Sequence, residues 1–458
     1  MIAMDTVVEA HASRPAGAEA VDLIGRWEGA LSIGQTSLPL VVRVEPGPGG
    51  ITAALDSPTQ GAVGIPVTDL TVTAGVVRFA VPSLSGRFEG AVSADGGTWT
   101  GIWSQGPGSL PLILNRAESA AEPVAERPAR PQTPVPPFPY GAADVTFRNA
   151  GAGIDLTGTL TLPQGTGPFP AAVLLTGSGA QDRDETILGH KPFAVWADAL
   201  TRRGVAVLRY DDRGVGGSGG GGPDETTADF ATDAAAAVAF LQDRPEIDPT
   251  RIGLVGHSEG GTTALIASAT GVPAAFIVLI AGPAVTGAEI VTEQVAQIAA
   301  AAGATPDQIA DARRTQGAVM AAVVENRNDG AAAARAVEAV LTAAGQNPEQ
   351  ARAGIAALSS GWYRYLAAYD PAPALAAVRV PLLAVYGGMD LQVPADQNRE
   401  ALARLKPDAD IVVLPGLNHL MQTATTGLPS EYGTISETLA PEALATVTDW
   451  VVRTTGAR

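Results

Sequence analysis

The chain has 458 residues, a formal net charge of −18, 46% apolar residues and no cysteine. So acidic a surface disfavours nucleic acid and anionic membrane as partners, and the lack of thiols removes cysteine nucleophiles, thiolate metal sites and disulfides. The length leaves room for two or three domain-sized units, and 53 glycines with 35 prolines stay below the level that marks a low-complexity chain.

In chain order, the first twenty residues carry Asp5, Glu9, His11 and Arg14 with no apolar run, so neither a secretory signal nor a transit peptide is expected there. Residues 22–116 then read as an all-β domain. Short segments (Trp27 to Leu31, Leu38 to Glu45, Ile51 to Leu55, Leu70 to Thr73, Val76 to Val81, Arg87 to Val92, Trp99 to Trp103, Leu110 to Leu114) alternate apolar and polar residues. They are broken by turn sequences such as Pro46-Gly47-Pro48-Gly49-Gly50, so the spacing predicts an antiparallel meander closed into a small barrel, with Trp27, Trp99 and Trp103 in its core.

Residues 117–139 are rich in proline, with Pro123, Pro128, Pro131, Pro134, Pro136, Pro137 and Pro139, and are expected to form an extended, semi-rigid linker. From residue 140 to 458 strand and helix signals alternate. Ile154 to Leu162 alternates as an antiparallel edge strand should. Ala171 to Leu175, Val205 to Leu208, Ile252 to Val255, Phe276 to Ile280, Leu382 to Tyr386 and Ile411 to Leu414 are short apolar runs. Stripes at helical spacing separate several of them, Phe193-Trp196-Ala197-Leu200 and Phe230-Ala234-Ala237-Leu241. The predicted fold class is α/β, a doubly wound, mostly parallel sheet. Residues 284–371 carry helix signals alone, with Thr305-Pro306-Asp307-Gln308 and Asn347-Pro348-Glu349-Gln350 as helix starts, and predict an inserted helical cap. No apolar run is long enough to span a membrane: Phe276 to Ala281 stops at Gly282-Pro283.

The chemistry is expected at Gly256-His257-Ser258-Glu259-Gly260, between an apolar strand and a helix of small residues. Glycines on either side of Ser258 permit the sharp strand-to-helix reversal that projects its hydroxyl. A serine needs an imidazole to take its proton and a carboxylate to orient that imidazole. Of His11, His190, His257 and His419, the first lies before the folded domains, the second at a helix start upstream of the serine, and the third beside it, where neighbouring side chains diverge. His419 remains, after a strand and the turn Pro415-Gly416-Leu417-Asn418. Asp390 follows the strand Leu382 to Tyr386, so nucleophile, acid and base come in the order Ser, Asp, His. The oxyanion donors are expected to be the N–H of Glu259 and one from the loop Thr176-Gly177-Ser178-Gly179-Ala180, with Ser178 favoured and Gly179 and Ala180 left open. Asp182, Arg183 and Asp184 are read as ties from this loop to its neighbours.

From about Tyr140 onward the chain resembles the α/β-hydrolase superfamily, and within it bacterial carboxylesterases grouped with the serine aminopeptidase and dienelactone-hydrolase branches. The residues that carry the resemblance are 177–184, Tyr210 to Ser218, Gly256 to Gly260, Gly387 to Pro394 and Leu417-Asn418-His419. It implies serine-dependent hydrolysis of a small-molecule ester, with no metal or organic cofactor. Dienelactone hydrolases use cysteine, which disfavours that activity here, and a serine peptidase on the same triad is the alternative. A binding protein whose barrel captures a glycan or envelope component is the rival from another class. The barrel resembles N-terminal modules of exported relatives, which leans the expected location outward. Trp362 and Tyr363, with His257, are candidate pocket residues. Packing inside the cap is the other reading of the two aromatics.

Overall fold

The computed structural model describes residues 23–33, 36–47, 50–57, 62–81, 86–105, 108–117, 129–222 and 224–457. The N-terminal stretch with His11, the expected domain start at Asp22, Pro48-Gly49 of the first turn, and Pro123 and Pro128 lie outside the described residues. The chain divides into two compact units, with the main division between Ala120 and Ala121.

Eight antiparallel strands form the first unit: β1 (Gly25–Ile33), β2 (Thr36–Gly47), β3 (Gly50–Ser57), β4 (Ala62–Thr73), β5 (Val76–Val81), β6 (Gly86–Val92), β7 (Thr98–Gln105) and β8 (Gly108–Arg116). Pairing of β1 with β8, Glu28 opposite Asn115, closes them into a barrel and leaves no free edge. Alternate residues point inward, so Phe79, Phe88, Trp99, Trp103, Leu112 and Leu114 meet in one buried core. Trp27 and Trp99 stack there with ring centroids 3.8 Å apart. The predicted barrel and its tryptophan core are both present.

The second unit is built on one eight-stranded sheet in the order β16-β15-β14-β13-β11-β12-β10-β9. Its strands are β9 (Gly141–Asn149), β10 (Ile154–Leu162), β11 (Phe169–Leu175), β12 (Ala206–Tyr210), β13 (Ile247–His257), β14 (Ile277–Ile280), β15 (Leu382–Gly387) and β16 (Asp410–Leu414). From β12 through β16 neighbours run parallel, while β10 runs antiparallel to both β9 and β12. This corrects one expectation. The alternating segment Ile154 to Leu162 is not the edge strand, because β9 covers it; β9 itself is largely exposed, and only its last residues bury apolar surface, so its signal is faint.

Alternation along the strands sends side chains to two separate cores. Ala171, Val173 and Leu175 pack with helices α2 (Thr227–Gln242) and α3 (Glu259–Ala269) on one face. Ala172 and Leu174 pack with α1 (Pro192–Thr201) and α11 (Pro441–Thr455) on the other. A sheet covered on both faces explains why its central strands read as unbroken apolar runs.

Between β14 and β15 lie α4 (Gly287–Ala301), α5 (Pro306–Glu325), α6 (Gly330–Ala343), α7 (Pro348–Leu358), α8 (Gly361–Ala368) and α9 (Ala372–Ala377). Thr305 accepts from the N–H of Gln308 while the Gln308 side chain returns to the Thr305 N–H, the capping box read from the sequence. Val319, Met320, Val323, Val337 and Leu341 give this insertion a core of its own. Arg130 and Gln132 of the proline-rich segment belong to the second unit and are hydrogen-bonded to its loops. Arg130 donates to the carbonyls of Leu188 and Gly433, and Gln132 to that of Leu439.

Candidate active site

The turn from β13 into α3 brings three backbone segments closer together than side chains allow. A Cβ on Gly256 would lie 2.1 Å from the Gly260 carbonyl oxygen, and one on Gly260 would lie 2.0 Å from that of Leu175. Both positions therefore need glycine. Ser258 between them sits at φ 52, ψ −119, outside the regions an L-residue favours, and is partly exposed although its neighbours are buried. Its N–H is held by the carbonyl of Ile280 on β14 at 2.9 Å. This is a strained turn that turns a serine outward at the carboxyl end of a central strand.

Two neighbouring strands supply the other groups. After β15, the turn Gly387-Gly388-Met389 carries Asp390, and after β16 the turn beyond Pro415 carries His419. Backbone bonds lock the two turns together, from Gly388 N–H to Leu414 O at 2.8 Å and from Met389 N–H to Leu417 O at 2.9 Å. The Nδ1 of His419 lies 2.8 Å from Oδ2 of Asp390. The second oxygen, Oδ1, accepts from the N–H groups of Gln392 at 2.8 Å and Val393 at 2.9 Å, so the carboxylate is fixed and fully engaged. Asp390 and His419 are 4% and 5% exposed, which shields their bond from competing water.

The loop after β11 runs beside the serine. A side chain at Gly177 would meet Cβ of Ser258 at 3.4 Å. The N–H of Gly177 is already taken by Oε1 of Glu185 at 2.6 Å, and that of Gln181 by Oδ2 of Asp212 at 2.9 Å. These bonds confine the open donors to Ser178, Gly179 and Ala180, the three exposed residues between them. Asp212 also accepts from the Thr176 hydroxyl at 2.7 Å, so it clamps the loop at both ends. Burial, with the charges of Glu185 and Glu259 nearby, pushes the Asp212 carboxyl up to about 8. Glu259 is the first residue of α3, where an N–H has no acceptor within the helix.

The remaining motif residues brace this scaffold. Arg183 pairs with Asp211 at 2.7 Å and Asp184 with Arg209 at 2.8 Å, while Oδ1 of Asp182 accepts from the N–H groups of Asp184 and Thr186. The Ser218 hydroxyl donates to the Asp211 carbonyl and accepts from the N–H of Thr157. His190 is buried between Thr438, Tyr432 and Gln422, and burial beside Arg130 lowers it to about 4.

Of the candidate pocket residues, Trp362 on α8 donates from its indole N–H to the Glu259 carboxylate at 2.9 Å. That same carboxylate accepts from the Thr227 hydroxyl at 2.6 Å. Tyr363 faces the core of the insertion, with its hydroxyl 3.9 Å from the Met320 sulfur, and burial pushes it up to about 12. His257 is buried with both ring nitrogens engaged, Nδ1 by Glu185 at 2.9 Å and Nε2 by the carbonyl of His419 at 3.0 Å. Through this contact the residue next to Ser258 touches the residue paired with Asp390. Glu185 was missed in the sequence, since it lies one residue past the 177–184 motif and only the folded chain brings it to Gly177 and His257. Among the described residues there is no cluster of histidines and carboxylates that could hold a metal ion, and no helix is long and apolar enough to cross a membrane.

A strained serine at the carboxyl end of a central strand, in a mostly parallel sheet covered on both faces and carrying a helical insertion before β15, defines an α/β-hydrolase. The chain belongs to the serine aminopeptidase (S33) family, whose sequence pattern matches residues 191–424. It is similar to esterase EstD of Thermotoga maritima, with 30% identity over 294 residues, 63% of this chain and 61% of that one. The chain thus spans less than two thirds of that esterase's length. Among solved structures it is similar to the α/β hydrolase GrgF from Penicillium (17% identity, 69% of this chain and 99% of that one, TM-score 0.45). It is also similar to a hypothetical protein, PA2218, from Pseudomonas aeruginosa (18% identity, 70% and 96%, TM-score 0.44).

Proposed function

We propose that the protein is a carboxylesterase that works through an acyl-enzyme on Ser258, His419 and Asp390. The observation that carries this reading is the 2.8 Å contact between Asp390 and His419, with the His419 turn joined to the strained Ser258 elbow by the 3.0 Å contact between the His419 carbonyl and His257. Asp390 holds the proton on Nδ1 of His419, which leaves Nε2 with the lone pair that takes the Ser258 proton as the hydroxyl attacks the acyl carbonyl. The N–H of Glu259, with that of Ser178 or one of its two neighbours, donates to the carbonyl oxygen and stabilises the negative charge that develops there. His419 then returns the proton to the departing alcohol, and a water repeats the sequence on the acyl-enzyme.

Residues 22–116 are an accessory β-domain in this reading, 117–139 a linker and 140–458 the catalytic domain. The insertion at 284–371 is its cap, reaching the elbow through Trp362. A small-molecule ester is the expected substrate. Similarity to a protein described as an esterase favours ester over amide cleavage; the family description, serine aminopeptidase, supports the alternative of a peptidase on the same three residues. Short-acyl p-nitrophenyl esters assayed beside aminoacyl-anilides separate the two. A fluorophosphonate probe is expected to label Ser258, identified by mapping the modified peptide. Labelling of another residue, or none in active protein, would overturn the assignment.

A further inference from the structure

We infer that Glu185 and His257 form a second charged pair beneath the elbow, His257 an imidazolium, and that this pair positions the Gly177 loop, the Ser258 turn and the His419 turn against one another. Its catalytic consequence rests on the esterase reading above.

Both ring nitrogens of His257 face acceptors. Nδ1 of His257 faces a carboxylate oxygen of Glu185 at 2.9 Å, and Nε2 faces the backbone carbonyl of His419 at 3.0 Å. A carbonyl oxygen never donates, and a neutral imidazole has a single N–H. With one proton on the ring, one nitrogen would turn its lone pair toward an acceptor in a site where His257 is only 8% exposed. Two protons satisfy both contacts. Oε1 of Glu185 also accepts the Gly177 N–H at 2.6 Å, so the oxygen that faces Nδ1 acts as an acceptor. Burial opposes charge on His257, but the Glu185 charge and hydrogen bond, the His419 carbonyl and the Asp390 charge outweigh it and raise its pKa.

The groups facing this ring come from every side of the site. Glu185 approaches from the segment before α1, Asp390 from the turn after β15, and the His419 ring from the turn after β16 with its centroid 4.9 Å away. Asp212 and Glu259 stand further out, within electrostatic reach of one another. Glu185 is held at φ 51, a left-handed conformation that costs a non-glycine residue energy and persists only where contacts enforce it. The result is a continuous row from Gly177 N–H through Glu185 and His257 to the His419 carbonyl. It crosses the three loops that carry the proposed oxyanion donor, nucleophile and base.

The test reads protonation and turnover separately. In full-length protein labelled with nitrogen-15 and carbon-13, with His257 assigned through its backbone connections, both ring nitrogens are expected to carry protons at pH 7. In Glu185→Gln the amide can still accept from Gly177, but the charge is gone. His257 is then expected to carry one proton and kcat on a p-nitrophenyl ester to fall by about 10²-fold with KM little changed. A raised histidine holds its proton below its folded pKa and loses it as pH rises. The wild type is therefore expected to lose kcat on an alkaline limb that moves to lower pH in Glu185→Gln. A singly protonated His257 in the wild type at pH 7 would overturn the inference, as would wild-type kcat and an unmoved limb in the variant. If the variant does not fold, the wild-type spectrum decides. Because the spectrum needs no substrate, a protein inert toward esters would sink the esterase reading while leaving this pair to its own test.

Discussion

Oδ2 of Asp390 and Nδ1 of His419 meet at 2.8 Å while the other oxygen of the same carboxylate is occupied by two backbone N–H groups. This division of labour makes Asp390→Asn an informative change. The amide oxygen can keep the N–H groups of Gln392 and Val393, so the turn survives, but the NH₂ then points at Nδ1 and drives the proton of His419 to the wrong nitrogen. We expect kcat to fall by about 10⁴-fold with the thermal midpoint close to wild type. Steady-state kinetics beside circular dichroism check it.

Ser258→Ala removes the proposed nucleophile and leaves the turn, because alanine adds no bulk in place of serine between the glycines at 256 and 260. A loss of roughly 10⁴- to 10⁶-fold in kcat is expected, with unaltered folding. Turnover retained within tenfold of wild type, an order of magnitude well short of that loss, would reject the assignment.

The indole of Trp362 is tied to the buried carboxylate of Glu259, beside the serine. Trp362→Phe keeps most of the apolar surface and deletes the donor, leaving one charged acceptor with Thr227 alone. We expect a stability loss of about 1–3 kcal/mol and a rise in KM larger than the fall in kcat, since the insertion is then held less firmly over the elbow. Chemical denaturation and substrate-saturation curves read the two effects.

His190 is 1% exposed, and burial beside Arg130 depresses it to about 4. The unfolded chain binds its proton near pH 6.5, so the stabilisation is present above that pH and is lost as pH falls through about 4. The loss amounts to roughly 3 kcal/mol. His190→Gln cannot titrate. Thermal midpoints of the two proteins should therefore differ most near neutrality and converge on acidification; parallel curves would contradict the shift.

Much was readable in the one-dimensional pattern because it depends on local rules. Period-two alternation with glycine and proline breaks specified the barrel strands, short apolar runs between helical stripes specified the parallel sheet, and Gly256-His257-Ser258-Glu259-Gly260 specified a turn whose crowding only glycine relieves. Chain order then singled out Asp390 and His419 as expected partners of Ser258. β9 escaped because a mostly exposed strand buries too little to leave a period.

What only the tertiary structure decided are contacts between residues far apart in the chain. Glu185 binding both Gly177 and His257, His257 reaching the His419 carbonyl, Trp362 closing on Glu259, and the engagement of the Gly177 and Gln181 N–H groups by Glu185 and Asp212 all arise where separate strand ends converge. Hydrogen bonding at a buried site depends on which donors and acceptors arrive together and on how little water remains to replace them. Neither quantity is carried by the spacing of residues along a chain.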